Sequence, residues 1–362
     1  MRVKLEEVCE RGSSNLKQTD VCEMRGDYPI YGASGYIGNV DFYHQEKPYV
    51  AVVKDGAGIG RTTLHPAKSS VIGTMQYLIP KENVLPEYLF YVVSYMHLEK
   101  YFTGATIPHI YFKDYKNEEF NLDSIEKQAE IVDVLGRCQQ VIEKRKQELT
   151  ALDDLIKARF VEMFGDPVCN PYGYDKVALS DLADIKIGPF GSLLHKEDYI
   201  EGGHPLLNPS HIVDGKISPD DKLTITDEKY EELSAYQLKT GDVVMGRRGE
   251  MGRCAVVSED GLLCGTGSML IRTKGEVTAD YIQKIISFPS YKKTIEDMAV
   301  GQTMPNLNVP IVSGFQIIKP PMEVQDRYYA FVDQVDKSKV AVQKALDETQ
   351  MLFDSLMQEY FN

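Results

Sequence analysis

GATIPHI at residues 104–110 and GQTMPNL at residues 301–307 share one frame, G-x-T-x-P. A search for internal repeats comes before any element-by-element reading, because a fixed offset decides the architecture. Gly104 and Gly301, Thr106 and Thr303, Pro108 and Pro305, Gln128 and Gln325, and Phe164 and Phe361 are each 197 positions apart, a register held for some 60 residues. Upstream, VVKDGAGIGR ends at Arg61 and VVMGRRGEMGR ends at Arg253, 192 positions later. The chain is therefore two copies of one unit.

Each copy reads as a strand-rich domain followed by one long helix. Short β-branched or aromatic runs (PYVAVV, MQYLIP, GDVVMG, CAVVS, SMLIRT) are broken by Gly, Pro and Asn turns, and PEYLFYVVSYMHLEKYF is helical. This is an α+β pattern. The first long helix is expected to open at DSIE, with Asp123 as cap and Glu126 completing a capping box, and to stop at Gly165 before Pro167. Leu135, Ile142, Leu149, Ile156 and Met163 recur every seven residues, with Cys138 and Leu152 beside them. In the second copy Pro320 and Pro321 open the helix, whose seam is Val332, Val335, Val342, Leu346, Phe353, Leu356 and Tyr360. Such spacing is a coiled-coil seam, interrupted by Arg145, Arg159 and Lys339. A helix that carries the chain to the second domain and one that pairs with it must be antiparallel, which predicts a pseudo-twofold dumbbell. The expected boundaries are a domain over 1–122, a helix over 123–166, a domain over 167–321 and a helix over 322–362.

With 362 residues and 43% hydrophobic composition the chain can bury two real cores. No apolar run reaches the length of a membrane span and the amino terminus lacks a signal-like centre, so a cytoplasmic, membrane-free protein is expected. The six cysteines (Cys9, Cys22, Cys138, Cys169, Cys254, Cys264) show neither metal-ligand spacing nor a disulfide framework.

Catalytic signatures are missing where they would be needed. Asn170-Pro171-Tyr172 is one proline short of a methyltransferase loop and reads as a turn. Gly56, Gly58 and Gly60 mimic a dinucleotide fingerprint, but no helix follows. There is no Walker A sequence, and Pro219-Asp220-Asp221-Lys222 is only superficially nuclease-like. No catalytic, cofactor or metal residue is therefore expected in this chain.

The order of YPIYGASGYIG (28–38), IGPFGSLL (187–194), GGHPLLNPSHIVDGKI (202–217), LKTGDVVMGRRGEMGR (238–253), GQTMPNLN (301–308) and IIKPPMEVQ (317–325) resembles the specificity subunits of type I restriction-modification systems. The resemblance covers essentially the whole length. It implies a non-catalytic subunit with two target recognition domains, each reading one half of a split site on double-stranded DNA, held apart by the helices. It further implies two adenine methyltransferase (modification) subunits that use S-adenosylmethionine, and restriction/translocase subunits that use ATP and Mg2+.

Contact to DNA is expected in the loops after strands. Arg247, Arg248 and Arg253 form a basic cluster, Lys54 and Arg61 occupy the parallel loop of the first copy, and Ser34, Tyr36, His109, Tyr111, Lys113, Asn208, Asn306 and Asn308 are further candidates. Yet the net charge is −14, and even the domains are acidic: 13 basic residues against 15 acidic over 1–122, and 16 against 21 over 167–321. A chain of this kind should bind DNA weakly alone and rely on phosphate contacts made by its partners. Because G-x-T-x-P recurs, it is expected to be shared machinery, at the junction of domain and helix or facing a methyltransferase. Two alternatives stay open: a coiled-coil adaptor that never touches DNA, disfavoured by the Arg247 cluster, and an enzyme with an unrecognised site.

Overall fold

The computed structural model describes residues 1–56, 58–103, 108–299 and 306–362, with Ser192 described by its backbone alone. The chain divides into two compact units: residues 1–150 with 340–362, and residues 151–339. Each holds one strand-rich domain, part of the first long helix (Ile125–Phe164) and part of the second (Met322–Phe361).

The two domains share one arrangement of four-, three- and two-stranded sheets. In the first unit a four-stranded antiparallel sheet runs Cys9–Ser13, Met75–Pro80, Tyr49–Val53, Thr62–His65; in the second it runs Ala183–Ile187, Ser268–Thr273, Val243–Gly246, Cys254–Val256. The central strand Tyr49–Val53 is buried at all five positions, as an apolar run covered on both faces demands. A three-stranded sheet follows in each copy: Gly35–Val40, Tyr28–Gly32, Ser70–Val71, and Thr224–Ile225, His204–Leu207, Leu263–Cys264, each with one antiparallel and one parallel pair. A two-stranded ladder then closes each domain at the start of its long helix, Arg2–Lys4 with Glu119–Asn121 and Asp175–Ala178 with Gln316–Lys319.

The copies differ most in one connection. Only Ala33 and Ser34 lie between Gly32 and the strand that begins at Gly35, whereas residues 208–223 lie between Leu207 and Thr224 and carry their own hairpin, Ile212–Val213 with Lys216–Ile217.

The first long helix is capped by Ser124, whose hydroxyl accepts from the Lys127 amide at 3.4 Å; Asp123 instead accepts from the Tyr88 hydroxyl at 3.0 Å. Its start lies one residue later than the DSIE reading because Asp123 is taken by the domain. It ends at Gly165, whose φ of +72° suits a glycine.

Within each unit the two helices run antiparallel. In the second unit Asp153 pairs with Lys339, while Phe160 and Phe164, further along the first helix, lie 5.6 and 5.3 Å from Tyr328, further back on the second. In the first unit Tyr91 joins Gln139 to Phe353 and Tyr88 joins Asp123 to Phe361, again in opposite chain directions. Of the seam residues, Leu135, Ile142, Ile156, Val335, Val342 and Leu346 are buried; Leu149, Met163, Val332, Phe353, Leu356 and Tyr360 are half-buried. The interruptions are absorbed: Lys339 by Asp153, and Arg159 by Glu162 at 2.7 Å and by the Phe331 ring.

The helix starts are tied to their domains by equivalent glutamines. Gln128 is fully buried, accepting from the Leu85 amide at 2.9 Å and donating to Asn83 and Asp123 carbonyls; Gln325 is fully buried, accepting from the Thr278 amide at 3.4 Å and donating to Pro320.

Candidate nucleic-acid interface

One loop in each domain collects most of the candidates. It follows the central strand and turns back at a glycine. Gly60 (φ +80°) stands where a Cβ would come within 2.5 Å of the Glu99 amide, so no other residue fits. The turn is closed by Val53 N–H to Arg61 O at 2.9 Å in the first copy and Gly246 N–H to Arg253 O at 2.8 Å in the second. The end of the repeated heptapeptide then pairs with the same loop: Ile110 N–H donates to Lys54 O and Leu307 N–H to Arg247 O, both at 2.9 Å. Asp55 bridges His109 as Arg248 bridges Asn306. Lys54 and Asp55 thus occupy the backbone places of Arg247 and Arg248, and His109 that of Asn306.

Residues 104–107 and 300–305, with most of both G-x-T-x-P stretches, lie outside the described residues. The ends that are described, His109-Ile110 and Asn306-Leu307, lie against the loop after the central strand. Ile110 and Leu307 are buried at that loop's base, whereas the expectation of a domain–helix junction or a methyltransferase-facing surface concerns G-x-T-x-P itself and falls almost wholly outside the described residues.

In the first copy Lys54, His109, Tyr111 and Lys113 come together. His109 pairs with Asp55 and stacks on Tyr111 (5.8 Å, 19°), and Lys113 lies 5.3 Å over that ring. On the loop's other flank Arg61 donates to Ala33 O, beside the exposed Ser34 and Tyr36 of the hairpin turn; the Tyr36 hydroxyl donates to Asn39.

In the second copy Arg247 is only 9% exposed. Its amide donates to Gly267 O at 3.0 Å and its Nε to Thr266 O at 3.1 Å; the Thr266 hydroxyl donates to Pro189 O at 2.8 Å. Gly265 lets this strap pass, since a Cβ there would meet Asn208 Oδ1 at 2.5 Å. Asn208 Oδ1 accepts from Gly267 at 3.4 Å, and Arg253 Nη1 donates to Pro209 O at 3.2 Å. Burial first, and the Arg248 charge second, lower the pKa of Arg247 below the usual guanidinium value.

A family model, the type I restriction modification DNA specificity domain, matches residues 1–151 and 171–349. The chain belongs to that family. It is similar to the type I restriction enzyme MjaIX specificity subunit of Methanocaldococcus jannaschii, 24% identical over 307 residues, 77% of this chain and 69% of the relative. Its fold is that of the type I restriction-modification S subunit from M. genitalium (TM-score 0.61, 15% identity, covering 100% of this chain and 96% of that one). A second solved chain, from work on complex assembly and conformational transition of the type I R-M system, gives a TM-score of 0.60 at 16% identity, covering 99% and 97%. The protein is a type I specificity subunit with two target recognition domains, and its role is DNA specificity. Among the described residues no helix is long and apolar enough to cross a membrane.

For this specificity subunit two candidates change meaning. Arg253 is held by Glu250 at 2.6 Å, and Glu250 also takes Lys292 at 3.0 Å, so its charge is spent inside the domain. Arg253 first and Lys292 next hold Glu250 below the usual carboxylate range. Asn308 caps the helix Val309–Ser313, its side chain accepting from the Ile311 amide at 3.0 Å. Arg248 is exposed and has no carboxylate partner among the described residues. The turn readings gain detail: Gly56, Gly58 and Gly60 all have positive φ, and Asn170 closes its turn on both backbone groups of Tyr174. Thr266, Pro189 and the 61%-exposed Phe190 belong to the same loop cluster and were not among the candidates; IGPFGSLL marked the stretch of Pro189 and Phe190, but nothing marked Thr266, which links Pro189 to Arg247.

Proposed function

We propose that each unit reads one half of a bipartite, asymmetric site on double-stranded DNA through the loop after its central strand. The observation that carries this is the duplicated backbone frame with exchanged side chains: Lys54-Asp55 against His109 in one copy, Arg247-Arg248 against Asn306 in the other. A shared frame presents a loop to the duplex in the same way, and within it some exchanged side chains select bases while others, such as the exposed Arg248, meet phosphate.

The subunit would dock two adenine methyltransferase subunits, which use S-adenosylmethionine, and through them restriction/translocase subunits driven by ATP and Mg2+. The family of the chain and its net charge of −14 support this division of labour, since an acidic subunit leaves much of the phosphate neutralisation to partners. Co-expression with the methyltransferase and sequencing of methylated adenines should reveal one split, non-palindromic motif that vanishes without this gene. An unsplit motif, or none, would defeat the proposal. Selective binding at nanomolar concentration by the isolated chain at physiological salt would defeat the assigned dependence on partners.

A further inference from the structure

Arg247 is a buried cation that no described carboxylate pairs. Among the described residues no carboxylate forms an ion pair with it, and the sequence outside the described part of residues 151–339, VGQTMP at 300–305, contains no acid. A guanidinium carries five N–H donors, and the one protein bond found for its side chain here is Nε to Thr266 O. Burying an uncompensated charge is costly, and a residue kept only for packing would be paired or replaced by an apolar one. The Nε bond fixes the plane of the group through a strap that continues to Pro189, and no described residue bonds the Nη1/Nη2 edge.

A phosphate reader gains from reach and mobility, as the exposed Arg248 next door has. A recessed, pre-oriented fork meets only what enters its notch, and the base edge that matches it is guanine, with O6 and N7 as paired acceptors. The first copy has Lys54 at this place, a point charge without the fork.

We infer that Arg247 is a specificity-determining residue of the unit formed by residues 151–339, reading one guanine of its half-site through the Nη1/Nη2 edge of the guanidinium. This rests on the bipartite reading above. Once methylated adenines have defined the wild-type motif, duplexes carrying 7-deazaguanine, which lacks the N7 acceptor, are scanned at every guanine of both halves against the methyltransferase-loaded complex. Arg247→Lys and Arg247→Ala are examined in parallel for their methylated motifs.

One guanine should lose on the order of tenfold or more in wild-type binding when N7 is removed. That same position should turn degenerate in the Arg247→Lys motif while the other half stays intact. The inference is overturned if the half-site contains no sensitive guanine, if both variants keep the wild-type motif, or if they lower methylation evenly at an unchanged motif. Should neither variant assemble, the wild-type scan alone decides whether a guanine N7 is read. Absence of any split motif in the wild type would instead defeat the bipartite reading and is seen before a variant is made.

Discussion

Phe361 stands edge-on to Tyr88, ring centroids 5.4 Å apart at 69°, and Phe164 stands edge-on to Tyr281 at 5.2 Å and 70°. Each phenylalanine closes a long helix, and each tyrosine donates its hydroxyl to the strand that leads into the helix start, Tyr88 to Asn121 O and Tyr281 to Ile318 O. The end of one long helix and the start of the other are thereby packed on one domain helix in each unit. Phe164→Ala should cost about 3–5 kcal/mol, the range for emptying a buried aromatic site, and Phe361→Ala the lower end of it, since Phe361 retains 6% exposure. Denaturant unfolding gives the size, and hydrogen exchange should show the loss in residues 151–339 for Phe164→Ala. Equal loosening of both units by either variant would contradict the assignment.

Gln128 and Gln325 make a second repeated tie. Gln128→Leu leaves the Leu85 amide and the carbonyls of Asn83 and Asp123 short of partners in a buried place, at about 1–3 kcal/mol for such an orphaned group. Gln325→Leu should cost less, because its Thr278 contact is already long at 3.4 Å. Thermal unfolding of the two variants side by side checks the order; the reverse order would show that the Thr278 contact matters more than its length suggests.

His65 sets an acid limit for the first unit. It is 6% exposed, between Tyr31 and Tyr49, with Nε2 at 2.8 Å from the Thr63 hydroxyl, and burial lowers its pKa to about 4. A group depressed in the folded state from about 6.5 takes up its proton more readily when unfolded, so stability rises with pH between about 4 and 6.5. Acidification across that window should therefore remove on the order of 3 kcal/mol, lost as pH falls. His65→Asn should flatten this part of the stability profile. An unchanged slope in the variant would assign the acid sensitivity elsewhere.

Arg248 and Arg253 should separate by salt dependence. Each phosphate neutralised contributes about 0.9 to the slope of log K against log salt. Arg248 is exposed and unpaired by any described carboxylate, so Arg248→Ala should flatten the slope by about one unit across all sites, with the motif unchanged. Arg253 already spends its charge on Glu250, so Arg253→Ala should leave the slope in place. Anisotropy titrations of the methyltransferase-loaded complex at several salt concentrations measure both.

The long helices were legible because apolar residues recur every seven residues from Leu135 to Met163, and at the alternating seam positions Val335, Val342, Leu346, Phe353 and Leu356 in the second copy. The repeat was legible only from about Val52 onward. Upstream of it, Leu5 and Leu179 or Cys9 and Ala183 are 174 positions apart, and the 16 residues between Leu207 and Thr224, against two in the first copy, hide that equivalence from any search at 192 or 197. Within the site, residue type does not reveal whether a side chain is already engaged. Arg253 and Arg248 look alike until Glu250 is placed beside one of them, and Asn308 looks like a reader until its oxygen meets the Ile311 amide. The Arg247 strap depends on Thr266 and Pro189, which come from distant stretches, and nothing in the sequence ties either of them to Arg247.

The heptapeptide can now be divided. Its frame recurs, but His109 and Asn306 differ, and both lie against the loop that carries Asp55 or Arg248. Exchanging 104–108 with 301–305 between the copies should leave the methylated motif unchanged, because Gly, Thr and Pro recur there. Extending the exchange to 104–110 with 301–307 takes His109 from Asp55 and sets Asn306 in its place, while His109 arrives beside Arg248, where one side then holds an unneutralised acid and the other an added base. Both half-sites should then shift, in the positions read by these loops, with the gap between the halves preserved because the long helices are untouched. Methylated-adenine sequencing of the two exchanges distinguishes the cases. A motif altered by the shorter exchange would place base selection inside the frame itself, and one unaltered by the longer would remove His109 and Asn306 from the interface.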